Sequence, residues 1–174
     1  MAKNCLNKLR GNITVSCTIS QVGVRDIYLM HAEDVTFVYE GAGVIMTAVF
    51  ADGAKAYKVE GYKQNIQVTA SLKTTDASAR VDSSVTFKIP YSYANRGFIN
   101  SIALGKFYVL VAFNDGDFTM LGDLSPLECS SADFDSNANA KMVTITLASP
   151  EGSAGNYARS IGIDARNTII SKSV

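Results

Sequence analysis

The sequence predicts a mainly β, antiparallel fold with one long hairpin and one helix. Apolar residues recur at every second position in most runs, turn signals separate those runs, and only one window keeps helical spacing. The first run is "NITVSCTI". It puts Ile13, Val15, Cys17 and Ile19 on one face and Thr14, Ser16 and Thr18 on the other. "GVRDIYLM" and "DVTFVYE" predict two shorter strands near 24–30 and 35–40, and "VIMTAVF" a third, bracketed by Gly41, Gly43 and the Asp52-Gly53 turn.

Residues 55–89 read as a long hairpin with a polar connection at "TTDASA". On the outgoing arm Ile66, Val68, Ala70 and Leu72 alternate with Asn65, Gln67, Thr69, Ser71 and Lys73. On the return arm Val81, Val85, Phe87 and Ile89 share a face with Ser83; Arg80, Asp82, Ser84, Thr86 and Lys88 take the other. Pro90 ends the arm. In "YSYANRGFINSIAL", Tyr91, Phe98, Ile99, Ile102 and Ala103 approach helical spacing, with Ser92 as N-cap and Gly105 as the stop. "KFYVLVAF" is apolar on both faces, which predicts a central strand covered on both sides, with the helix as one cover. "NDGD" predicts a tight turn that pairs "FTML" back onto it. "SSADFDSNANAK" reads as a long polar segment, "MVTITLA" as the last strand, and "SPEGSAG" as the start of a polar C-terminal tail.

The composition narrows the function. Charged residues make up 18% of the 174 residues, against about a quarter in an average domain. Cover by other subunits is the favoured reading of that shortage; a modestly polar monomer rich in Ser and Thr is the other. Lys plus Arg equal Asp plus Glu at 16 each, which argues against a general nucleic-acid binder with a basic surface. Cys5, Cys17 and Cys129 are scattered and His31 is the sole histidine, so neither a disulfide framework nor a zinc site is expected. No apolar leader or membrane-length run is present, and the chain reads as made in the cytoplasm. Asn12-Ile13-Thr14 fits the glycosylation pattern by chance only.

Catalytic constellations are absent. His31 in "MHAED" reads as a surface or turn residue with no nucleophile to serve, and no phosphate-binding or zinc-protease motif occurs. In "DFDSNANAK", Asp133, Asp135, Asn137 and Asn139 have the alternate spacing of a calcium loop. Ala138 replaces its turn glycine and Thr144 its final Glu, so the segment reads as an ordinary polar loop. No cofactor and no enzymatic activity are expected.

The order of these pieces resembles tail-tube and ring-type virion proteins of tailed phages infecting gut Bacteroidetes bacteria, including crAss-like phages. The matching stretches are residues 23–29, 67–71, 114–122 and 143–147, spread over roughly residues 12–155. Lys141-Met142 stand where the family has Gly-Tyr. The resemblance implies a β-sandwich or partial barrel with one flanking helix, spanning 12–155 between an N-terminal arm (1–11) and a C-terminal tail (156–174). It implies a ring of six or twelve copies whose strands form a continuous inner barrel, in a phage tail or head–tail connector. DNA would pass through the lumen at ejection without sequence-specific binding.

The implied partners are the chain itself and adjacent tail, ring or portal proteins; the implied location is the virion, with no membrane. Within that picture Ile66, Val68, Val81 and Val85 are the expected subunit contacts. Gln67, Thr69, Ser71, Ser84 and Thr86 are expected to face the lumen. The alternative is a non-catalytic β-sandwich binding module, for carbohydrate or for capsid decoration, which predicts a monomer or trimer with an exposed aromatic patch.

Overall fold

The computed structural model of the protein describes residues 23–40, 43–61, 65–75, 78–134, 141–150 and 159–174. The strands are β1 (Val24–His31), β2 (Val35–Tyr39), β3 (Ile45–Phe50), β4 (Tyr57–Glu60), β5 (Ile66–Thr75), β6 (Ser78–Pro90), β7 (Lys106–Phe113), β8 (Phe118–Leu121), β9 (Leu127–Phe134), β10 (Met142–Ala148) and β11 (Arg159–Ser160). The helices are α1 (Arg96–Ile102) and α2 (Ile163–Ser171). The fold is mainly β, its strand pairs are antiparallel, and its form is that of a sandwich or partial barrel. The run predicted at residues 13–19 lies outside the described residues.

Nine strands form one sheet that bends into two halves. In the first half the order is β4-β1-β7-β8-β11; in the second it is β9-β10-β6-β5. The halves join where the start of β7 pairs with the start of β9, Lys106 opposite Glu128 and Phe107 opposite Leu127. An ion pair of 3.0 Å between Lys106 and Glu128 spans that junction. They join again through the chain itself. β4 pairs with β1, then the same arm leaves β1 and continues as β5 against β6. The outgoing arm of the predicted hairpin is therefore two strands serving two half-sheets.

Glycine marks both corners. At Gly61 the backbone N–H donates to the Arg25 carbonyl at 2.7 Å, and a Cβ there would collide with that same oxygen. At Gly122, between β8 and β9, φ is +81°, and a Cβ would lie 3.2 Å from the Phe107 carbonyl oxygen. Only a residue without a side chain allows so close an approach.

Between the halves lies the main core. Ile27, Leu29, Val109, Val111 and Leu121 of the first half meet Val85, Phe87, Ile89, Ile145 and Leu147 of the second. Ile102 of α1 joins this cluster, with Phe98 and Ile99 packed against it. The other face of the first half carries a second cluster. Tyr28, Met30, Leu110, Ala112 and Met120 lie there under Val35 and Phe37 of β2, Ile45 and Ala48 of β3, and Ala165 and Ile169 of α2. β7 is thus covered on both sides, as its two apolar faces predict. Its outer cover, however, is the β2–β3 hairpin with α2, while α1 contributes to the inner core.

Three differences from the sequence reading have physical causes. The C-terminal stretch read as a polar tail holds α2, whose Ala165 and Ile169, one helical turn apart, are fully buried. Its apolar stripe is only a few residues wide, too narrow to register as a period. Half of the predicted polar segment is β9, which pairs with β10 although it is rich in Ser and Asp. A register shift near Thr146 breaks its alternation. Finally, α1 begins at Arg96, because Asn95 turns its side-chain amide to the Pro90 carbonyl at 2.9 Å and Ser92 closes a turn ahead of the helix.

A hydroxyl-faced sheet as candidate functional site

The outer face of the second half-sheet is the candidate site. Side chains directly opposite in an antiparallel ladder share a face. Gln67, Thr86, Thr146 and Ser131 therefore form one row across β5, β6, β10 and β9. Thr69, Ser84, Ala148 and Glu128 form the next, and Lys88, Thr144 and Asp133 a third. Gln67, Thr69 and Ser71 are exposed; Ser84, Thr86, Thr144 and Thr146 are half-buried within the lattice of neighbours. All five residues expected on a polar face, Gln67, Thr69, Ser71, Ser84 and Thr86, are brought together there.

The hydroxyls bond to one another. Thr69 Oγ1 and Ser84 Oγ are 2.6 Å apart, and Thr86 Oγ1 and Thr146 Oγ1 are 3.2 Å apart. Ser130 Oγ donates to the Thr146 carbonyl at 3.2 Å. At the hairpin end Lys73 and Asp82 pair at 2.7 Å and cancel each other's charge. The face presents hydroxyl and amide groups, flanked by the opposite charges of Lys88 and Asp133.

The apolar row packs largely on the chain's own core. Val85 is fully buried and Ile66 and Val81 are each 5% exposed, within a single chain. Val68 is half-buried against the same core. Ile66, Val81 and Val85 face the first half-sheet of their own chain, while Val68 keeps part of its surface open. Leu72, next in the row, is 55% exposed. Ser83 also sits in this row, and its backbone is tied to Ser149: Ser83 N–H donates to Ser149 Oγ at 2.8 Å, and Ser149 N–H donates to the Ser83 carbonyl at 2.9 Å.

What sequence reading missed at the site is the strand β9. Among the described residues no strand pairs with the outer side of β5, nor with β9 beyond Glu128 on the side away from β10. Among the described residues the half-sheet thus has unpaired edges on opposite sides. The missed strand β9 carries one of them.

Elsewhere the chemistry is structural. His31 ends β1 half-buried, its ring 4.8 Å from that of Phe107 and 6.2 Å from that of Tyr57, not in a turn as expected. Among the described residues no group of three or more His, Cys, Asp or Glu is placed to hold a metal. Of the calcium-loop pattern only Asp133 is described; Asp135, Asn137 and Asn139 lie outside the described residues. Asp26, nearly buried on β1, is held by Arg25 at 3.1 Å and Lys58 at 3.8 Å. Burial pushes the Cys129 thiol and the Tyr108 hydroxyl above their usual pKa, and the hydrogen bond to Glu60 raises that of Lys58. Among the described residues no helix is long and apolar enough to cross a membrane.

Comparison with protein-family models, with curated proteins and with solved structures gives no significant match.

Proposed function

We propose that the chain is a structural virion protein that assembles side by side into a ring or tube, in a phage tail or head–tail connector, and lines a channel for DNA. The observation that carries this reading is the second half-sheet, a hydroxyl-lined face whose β5 and β9 edges have no strand partner on their outer sides among the described residues. Unpaired strand edges in a monomer invite association, and a monomeric protein normally blunts them. When the β5 side of one copy meets the β9 side of the next, the contact is head-to-tail, and such contacts close into rings when the rotation permits. The polar faces then form one inner wall. A wall of hydroxyls and amides bonds water and lets phosphates pass, whereas a wall of Lys and Arg would hold them by counterion release.

A second feature supports burial by other copies. On the β2–β3 hairpin, Val38 is 52% and Val49 53% exposed, and Met46 and Tyr39 are also partly open. A cluster of this kind is characteristic of contact surfaces. The deciding experiment is negative-stain electron microscopy with mass measurement on the purified protein, alone and with its neighbouring virion proteins. Rings or tubes are expected. A chain that stays monomeric at high concentration and beside those proteins would sink the reading.

A further inference from the structure

The sole histidine stands in the wall of a cavity built largely of aromatic rings. Leu29 and His31 alternate along β1 at its end. The ladder sets Tyr57 opposite Leu29 and Phe107 opposite His31. On α1, Phe98, Ser101 and Ile102 fall at positions i, i+3 and i+4, one face of a helix, and that face borders the same space. The cavity between them has a volume of about 290 Å³.

Its walls have the chemistry of a site for one aromatic ring. The His31 ring stands 6.2 Å from that of Tyr57 at 89°, and the Tyr57 ring 6.4 Å from that of Phe98 at 61°. Phe107 is a wall with little freedom: a Cβ on Gly105 would lie 2.3 Å from its Cζ, so only the bare glycine backbone lets the ring lie there. Leu29 and Ile102, both buried, add aliphatic surface. Polar groups are few. Ser101, at the exposed rim, already donates its hydroxyl to the Phe98 carbonyl at 2.9 Å. The half-buried imidazole of His31 has no hydrogen-bond partner among the described residues.

We propose that this cavity binds a small phenol, its ring among Tyr57, Phe98 and Phe107 and its hydroxyl on the imidazole of His31. Three observations select that class. An apolar cavity of about 150 Å³ takes up benzene, so 290 Å³ has room for a substituted ring. Walls at steep angles to one another offer a planar ligand both edge and face contacts, the arrangements aromatic pairs favour. The unpartnered imidazole offers a donor and an acceptor, which match a single hydroxyl. A sugar would bring several hydroxyls and leave most of them without partners in so apolar a space. The site lies within one chain and does not depend on assembly.

The test titrates the full chain with p-cresol and with toluene, the same ring without the hydroxyl, by calorimetry. Because the chain has one histidine, its imidazole Hε1 proton gives a single NMR signal that reports contact directly. p-Cresol is expected to bind saturably at millimolar concentration or below and to shift that signal. His31→Phe keeps an aromatic wall and should lower the ratio of p-cresol to toluene affinity about fivefold, the worth of one hydrogen bond. Ser101→Trp should obstruct the rim and weaken both ligands roughly tenfold or more. The proposal is overturned if the wild type shows no saturable p-cresol binding, or if either variant leaves its stated quantity unchanged. Tighter binding of methyl glucoside than of p-cresol overturns it in favour of a sugar. If the variants fail to fold, the wild type decides. Nuclear Overhauser contacts from the p-cresol ring to His31 and Phe98 support the site, and their absence at saturation overturns it.

Discussion

A methyl group on Gly61 would collide with the carbonyl oxygen of Arg25 and lie 2.8 Å from that of Val24, both backbone atoms of β1. Neither can step aside without loosening the ladder. Gly61→Ala is expected to destabilise the subunit by about 1–3 kcal/mol, the usual range for overpacking a close-packed site. Urea denaturation checks it, and an unchanged midpoint would mean that the corner is not tight. At the opposite extreme, Ile102 is 1% exposed in the inner core. Ile102→Ala should cost about 2–5 kcal/mol through lost burial and the cavity left behind.

Titration at the residue scale has one sign. Burial raises the Cys129 thiol from its ordinary 9.0 and the Tyr108 hydroxyl from 10.0, so both favour the neutral form in the fold. Lys58, raised from 10.5 chiefly by its bond to Glu60, favours the charged form. In each case the folded chain holds its proton longer than the unfolded chain. Stability is therefore complete below the unfolded pKa values and is lost as pH rises past them. Melting temperature should stay level up to about pH 8.5 and fall above about pH 9. Cys129→Ser should remove the earliest part of that fall. A melting temperature that climbs above pH 9 would contradict the burial of these groups.

Elements show how much of the molecule was legible. β1, β2, β3, β7, β8 and β10 stand where the sequence places them: β10 alternates strictly in burial, while β1 and β7 are buried on both faces and show as apolar runs between turn signals. β6 alternates in burial from Val81 to Pro90, Ser83 included. β9 broke the period at its bulge and leaves much of its surface open, so its sequence carries little of the pairing that β10 supplies. The split of the long arm into β4 and β5 was hidden for another reason. Alternation says which residues share a face and is silent on which strand lies alongside.

The same limit explains the site. The hydroxyl row was readable residue by residue. The owner of the apolar row was not, since cover by one's own chain and cover by another copy leave the same pattern. Val68→Asp puts a carboxylate against the chain's own core and should lower the subunit's stability by a few kcal/mol. Thr69→Val, on an exposed position with one bond to Ser84, should change it by no more than about 0.5 kcal/mol. Thermal melts on dilute samples separate the two effects from any loss of assembly. Equal melting temperatures would mean that Val68 does not face the core.

At the scale of the whole molecule, the proposed ring turns a small local charge into a large one, because every copy repeats it. The wild-type face is nearly neutral, with Lys73 cancelled by Asp82, and a channel built from it should bind DNA weakly. Thr69→Lys adds one positive charge per copy at the middle of that face. In solution a single exposed lysine is a minor change; in a closed ring the added charges point into one lumen, within reach of the same stretch of duplex. Each phosphate neutralised steepens the dependence of log affinity on log salt by about 0.9, so several contacts should cost a thousandfold or more in affinity between about 50 and 200 mM salt. Filter binding of short duplex DNA to assembled wild-type and Thr69→Lys protein tests this. Weak, salt-insensitive retention by the wild type and tight, salt-sensitive retention by the variant are expected. If wild-type rings already bind with a steep salt slope, the neutral channel is wrong. If Thr69→Lys rings bind no better than wild type, the hydroxyl face lies on the outside of the assembly, and the channel must be lined by another surface.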